Sequence, residues 1–127
     1  MTTFKSLGLN PALLSAVEKL GFESPTEVQN KVIPLLLNDK TDLVALAQTG
    51  TGKTAAFGLP MLQKIDPSTK TTQGLILSPT RELCLQITNE IEQYGSELKQ
   101  IKVVPLYGGA NITEQANKIK RGAQIVV

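Results

Sequence analysis

The stretch DLVALAQTGTGKTAAF, Asp42 to Phe57, constrains the fold more than any other part of the chain. An almost wholly apolar run, Asp42 to Ala47, leads into a glycine-bearing loop, after which apolar residues return at helical spacing. A run that short and apolar suits a strand buried on both faces of a parallel sheet. Parallel neighbours need crossover connections, so the unit predicts an α/β domain. The downstream sequence repeats the alternation: GLILS (Gly74 to Ser78), a helix from Arg81 to about Leu98 capped by Thr80, IKVVPLY (Ile101 to Tyr107), a Gly108-Gly109 turn, ITEQANKIKR (Ile112 to Arg121) and AQIVV (Ala123 to Val127). The expectation is a parallel sheet of four strands with helices on both faces.

Upstream of the loop the reading is helical. Asn10 and Pro11 give an N-cap and a first helical position, Leu13, Leu14, Val17 and Leu20 follow at helical spacing, and Gly21 closes the element. Ser24 and Pro25 repeat the start signal, predicting a second helix from about Thr26 into VIPLLLN, interrupted or bent at Pro34.

The loop itself, Gln48, Thr49, Gly50, Thr51, Gly52, Lys53, Thr54, follows the phosphate-binding pattern, with Ala47 where the common motif has its first glycine. A triphosphate is a dense anion and needs convergent donors. Gly50 and Gly52 let the backbone turn its amides inward, the following helix adds its N-terminal partial charge, Lys53 reaches the outer phosphates, and the Thr54 hydroxyl completes the shell of a Mg²⁺ ion. A guanine reader is not evident. NDKTD (Asn38 to Asp42) has the wrong order, precedes the loop, and reads as a polar turn.

Length and composition narrow the class. The 127 residues amount to one domain. Thirteen basic against eleven acidic residues leave a net charge of +2 with no basic block, so charge alone does not point to nucleic acid. One cysteine, Cys84, excludes an internal disulfide, and the absence of histidine excludes a Cys/His zinc site; Cys84 reads as a small buried residue of its helix. No window approaches the ~20 apolar residues of a membrane span. The expected setting is the reducing cytoplasm, with no membrane partner.

Four ordered blocks then carry a resemblance. GFESPTEVQ (Gly21 to Gln29), preceded by Phe4, resembles the adenine-reading Q motif of DEAD-box RNA helicases; AQTGTGKT resembles their first nucleotide motif, PTRELCLQ (Pro79 to Gln86) their Pro-Thr-Arg-Glu-Leu block, and YGGANITEQ (Tyr107 to Gln115) their Gly-Gly element. The resemblance spans the whole chain. It implies a RecA-like fold, with residues 1–40 forming a Q-motif helical segment on a partial nucleotide-binding domain of residues 41–127. It implies ATP and Mg²⁺ as cofactors, with Gln29 pairing to adenine, Phe4 offering a stacking face and Phe22 packing nearby. One amide can donate to adenine N7 and accept from N6, a pattern guanine does not match. It also implies that Pro79, Thr80, Arg81, Gly108 and Gly109 line a path for single-stranded or short duplex RNA, contacting sugar and phosphate.

The family's Asp-Glu-Ala-Asp box and Ser-Ala-Thr motif follow the residues seen here, as does its second RecA-like lobe. The resemblance therefore implies the N-terminal part of a first lobe, ending after its fourth strand and inactive by itself. In that family's sheet order DLVALA stands three strand spacings, roughly 14 Å, from the other strands. The expectation is that this run closes the gap by non-native pairing, borrows strands from a second copy, or lies beside further residues of its own domain. Another P-loop NTPase, a DNA translocase and a non-catalytic nucleotide-binding scaffold are the alternatives.

Overall fold

A computed structural model describes residues 1–127. A 3-10 turn, Lys5–Leu7, precedes α1 (Pro11–Lys19), α2 (Glu27–Asn38), α3 (Lys53–Lys64), β1 (Gly74–Leu75), α4 (Arg81–Tyr94), β2 (Val103–Val104), α5 (Ile112–Lys120) and β3 (Ile125–Val126). The opening turn carried no sequence signal.

Caps set the helix starts. The Asn10 side chain accepts from the Leu13 amide at 3.0 Å and holds α1. Gly21, at φ +79°, ends it, its amide donating to the Glu18 carbonyl. Thr26, not Ser24, caps α2, in a capping box with Gln29. The helix then runs unbroken through Pro34, contrary to an interruption there, because buried Val32 and Ile33 hold it against the core while one carbonyl forgoes its partner.

The sheet is parallel with order β1-β3-β2; Gly74 pairs with Ile125, and Val103 with the same residue from the other side. Bonds beyond the assigned strands extend it, from the Ile76 amide to the Val126 carbonyl and from the Leu106 amide to the Val127 carbonyl, at 2.9 and 2.8 Å. The central strand is buried on both faces, which explains its nearly continuous apolar sequence. One face joins the main core, in which Ile125 shares a cluster with Leu59, Leu62 and Ile91 of α3 and α4. The other carries Val104, Ala123 and Val126 beneath Ile119 of α5. Gly58 lets α3 and α4 approach, since a Cβ there would lie 2.5 Å from Ile91 Cδ1.

The run Asp42 to Ala47 departs from expectation: it belongs to no strand, and the sheet has three strands, not four. No strand within residues 1–127 pairs with it, so its non-native pairing within the chain does not occur. An apolar run supplies strand propensity but not a ladder partner. Val44 and Leu46 are 88 % and 95 % exposed, beside a cleft of about 780 Å³ bounded by α2.

Candidate functional site

The glycine loop has the geometry of an anion cradle. Gly50 and Gly52 both sit at φ +80°, and Gly52 caps α3 without any side-chain cap. The loop folds on itself through the Thr51 hydroxyl, which donates to the Gln48 carbonyl at 2.6 Å. None of the backbone amides from Gly50 to Thr54 has an acceptor within the protein. Free amides at a glycine loop and helix start are the kind of donor set that suits an anion. Lys53 is exposed and belongs to neither of the protein's two ion pairs, Lys19–Glu97 and Lys31–Glu27. Thr54 follows in the first turn of α3, half-buried.

The start of α2 holds this loop from one side. The Thr26 hydroxyl donates to the Thr51 carbonyl at 2.8 Å, and Gln29 Nε2 donates to the Gly52 carbonyl at 3.2 Å. Gln29 Oε1 accepts from the Thr26 amide at 3.0 Å. The Gln29 side chain, only 3 % exposed, thus already spends one donor and one acceptor on the protein. It retains one N–H and one lone pair. Gln29, expected from the sequence as the adenine reader, thus also fixes the loop. Thr26 was missed as a loop contact, although its spacing to Gln29 is the capping-box signature.

Phe4 is corrected. It is 5 % exposed and packs on Phe22 with centroids 6.1 Å apart, and Phe22 in turn meets the edge of Tyr94 at 6.2 Å. Its ring belongs to the core and offers no open face for a base. Phe22 packs where expected.

A second cluster forms at the C-terminal ends of β1 and β2. Thr80 caps α4, accepting from the Leu83 amide at 3.1 Å. The Arg81 guanidinium lies 4.7 Å from the Tyr107 ring centroid, a cation–π contact that brings the block at 79–81 to the turn at Gly108 and Gly109. Gln115 clasps that turn, accepting from the Tyr107 amide at 2.9 Å and donating to its carbonyl at 3.3 Å. Pro79, Thr80, Arg81, Gly108 and Gly109 are all exposed. Beneath them Cys84 is buried, its thiol directed at the Leu106 and Val127 carbonyls. Sequence reasoning missed Tyr107 and Gln115; both lie inside the quoted Gly-Gly block, but their partners become visible only on folding. No group of three or more His, Cys, Asp or Glu side chains is gathered to hold a metal ion.

Residues 26–127 match the family described as DEAD/DEAH box helicase. The chain is 50 % identical over 125 residues to the ATP-dependent RNA helicase DeaD of Mycobacterium tuberculosis, an alignment that covers 98 % of this chain and 22 % of that protein. Among solved structures, a DEAD box protein from the hyperthermophile Methanococcus jannaschii superposes with a TM-score of 0.93 at 42 % identity, over all of this chain and 34 % of that one. Dbp5 of S. cerevisiae, bound to RNA and ADP BeF3, superposes with a TM-score of 0.82 at 31 % identity, over all of this chain and 32 % of Dbp5. The chain thus spans between about a fifth and a third of the length of these relatives.

Proposed function

The chain belongs to the DEAD/DEAH box helicase family, and from that premise we propose that it is the N-terminal ATP-binding and RNA-contacting part of a DEAD-box RNA helicase. The observation that carries this reading is the loop of unsatisfied amides from Gly50 to Thr54, clamped by Thr26 and Gln29 at the start of a helix. The amides and the α3 terminus bind the phosphate chain, and Lys53 neutralises its outer charge. Gln29 uses its remaining donor and acceptor on adenine. Gln48, Thr49 and Thr51 shape the loop, with Phe4 and Phe22 as packing behind the Q motif. Thr54 would hold Mg²⁺: its hydroxyl makes no hydrogen bond to the protein and lies in the first turn of α3, where it is available as a ligand. That ion, when bound, stabilises charge on the phosphates.

At the second cluster Pro79, Thr80, Arg81 and the Gly108-Gly109 backbone contact the sugar and phosphate of single-stranded RNA. Such contacts position a strand without reading its bases. The whole protein would couple ATP binding and hydrolysis to local opening of short RNA duplexes in the cytoplasm, a second RecA-like lobe closing on the first. The 127-residue chain alone would not hydrolyse ATP.

Competition of ATP, ADP and GTP against a labelled ADP analogue tests the reading. ATP and ADP are expected to displace the analogue and GTP to compete poorly, whereas equal competition removes Gln29 from base selection. Lys53→Ala is expected to abolish triphosphate binding with an unchanged circular dichroism spectrum, because an exposed, unpaired lysine contributes little to the fold. Normal ATP binding by that variant overturns the assignment of the loop.

A further inference from the structure

The opposite end of the sheet carries a second basic site. Gln124, immediately before β3, is 3 % exposed and ties three loops together. Its Oε1 accepts from the Lys102 amide at 2.8 Å, and its Nε2 donates to the Gln100 and Thr69 carbonyls at 3.0 and 3.3 Å. Gly122, at φ +119°, lets the Lys70 stem lie against the backbone, since a Cβ there would be 3.2 Å from Lys70 Cβ. This floor supports a cleft of about 330 Å³ bordered by Lys70, Lys102 and Arg121, with Ser68, Gln100 and Gln124 also on its wall. A neighbouring cleft of about 410 Å³ shares Lys102 and Arg121 and adds Lys118, with Glu92 as its one acid.

All four cations are exposed, and none belongs to either ion pair of the protein. Lys118 and Arg121 end α5, where cations complement the helix dipole; that does not account for Lys70 and Lys102, which come from two other loops. The Asp66 carboxylate forms no ion pair with them; its oxygens accept from the Ser68 and Thr69 hydroxyls, which hold it ionised. The result is a pair of adjoining clefts in which four cations, none of them ion-paired, outnumber the one lining acid, Glu92. Its Lys102 precedes Tyr107 by five residues on the segment that contains β2, roughly 16 Å from the Arg81–Tyr107 cluster if that segment is extended.

We propose that this cleft is an auxiliary phosphate-binding site, and that its occupant is the RNA backbone at a point beyond the strand held by Arg81 and the Gly108-Gly109 turn. The proposal rests on the RNA-contacting reading above. Its chemistry is that of non-specific recognition: flexible ammonium groups and one guanidinium around a polar floor favour phosphodiester oxygens over bases.

Fluorescence anisotropy of the chain with a labelled RNA hairpin bearing a single-stranded tail, over a series of salt concentrations, tests it. The paired variant Lys70→Gln/Lys102→Gln is expected to bind about tenfold more weakly and to lower the slope of log affinity against log salt by about 1.4–1.8, the contribution of two phosphate contacts. Lys118→Gln/Arg121→Gln supplies the same test should the first variant misfold. Unchanged affinity and slope in a folded variant, while Arg81→Ala weakens binding, overturns this site alone. Absence of RNA binding by the unaltered chain overturns the RNA reading together with it. Pyrophosphate that shifts the Lys102 and Gly122 amide resonances, without any effect of the variants on RNA affinity, assigns the cleft to a small free anion and overturns the RNA backbone as occupant.

Discussion

Gly52 has no room for a side chain and no ordinary backbone conformation in which to carry one. Its φ is +80°, and a Cβ would fall 2.2 Å from Gln29 Nε2, in the bond that holds the loop. Gly52→Ala is expected to cost about 1–3 kcal/mol in chemical denaturation and to weaken ATP binding in calorimetry, because the strain falls on the cradle itself. Tyr94 predicts a different response. Burial first, and then the charge of Glu90, push its phenol up to about 12 from an ordinary value of 10. The fold prefers the neutral ring, so this contribution is complete below pH 10 and is lost as pH rises from 10 towards 12. Tyr94→Phe should therefore leave stability near pH 7 almost unchanged and lose less than the unaltered chain between pH 10 and 12, as measured by denaturation at a series of pH values. The turns at Gly50 and Gly52 were legible in the sequence because a positive φ dictates glycine locally. The bond from Thr26 to the Thr51 carbonyl was not, since it joins residues 25 positions apart and any hydroxyl on the right surface would serve.

At the scale of elements, α2 is both a core helix and the clamp of the glycine loop. Thr26→Ala removes its N-cap and the bond to the Thr51 carbonyl together, and is expected to lower stability by about 1–2 kcal/mol and to weaken nucleotide binding as well. Ser24→Ala, at an exposed residue that does not cap the helix, is the comparison and should change neither quantity. All five helices were legible, because caps, apolar spacing and closing glycines act within a few residues. Their limits were less so: α4 ends at Tyr94 instead of about Leu98, where Gly95 takes the C-cap. Strands depend on neighbours. GLILS, IKVVPLY and AQIVV were legible and do pair, whereas DLVALA carries an equally strong apolar signal and has no partner.

Taken whole, the molecule places its two candidate functions on one scaffold and leaves apolar surface bare beside it. Val44, Leu46, Leu75 and Leu77 are 63–95 % exposed. Val44 and Leu46 lie together beside the cleft along α2, and exposed apolar patches drive association. The chain is expected to self-associate with rising concentration in sedimentation velocity, by strand exchange or face-to-face contact, and Val44→Lys/Leu46→Lys should shift it towards monomer; monodisperse behaviour of the unaltered chain at every concentration would contradict this. The sheet order has one more consequence, which concerns synthesis on the ribosome. β1 and β2 do not pair with each other, and each touches only β3, the last of the three in the sequence. Gly74 therefore waits for Ile125, which at about 5–20 residues per second arrives roughly 3–10 s later. During that interval the helices already made can condense, but Ile76, joined by Val104 once it too is made, stands as an unpaired strand edge, a window in which a chaperone could compete with folding.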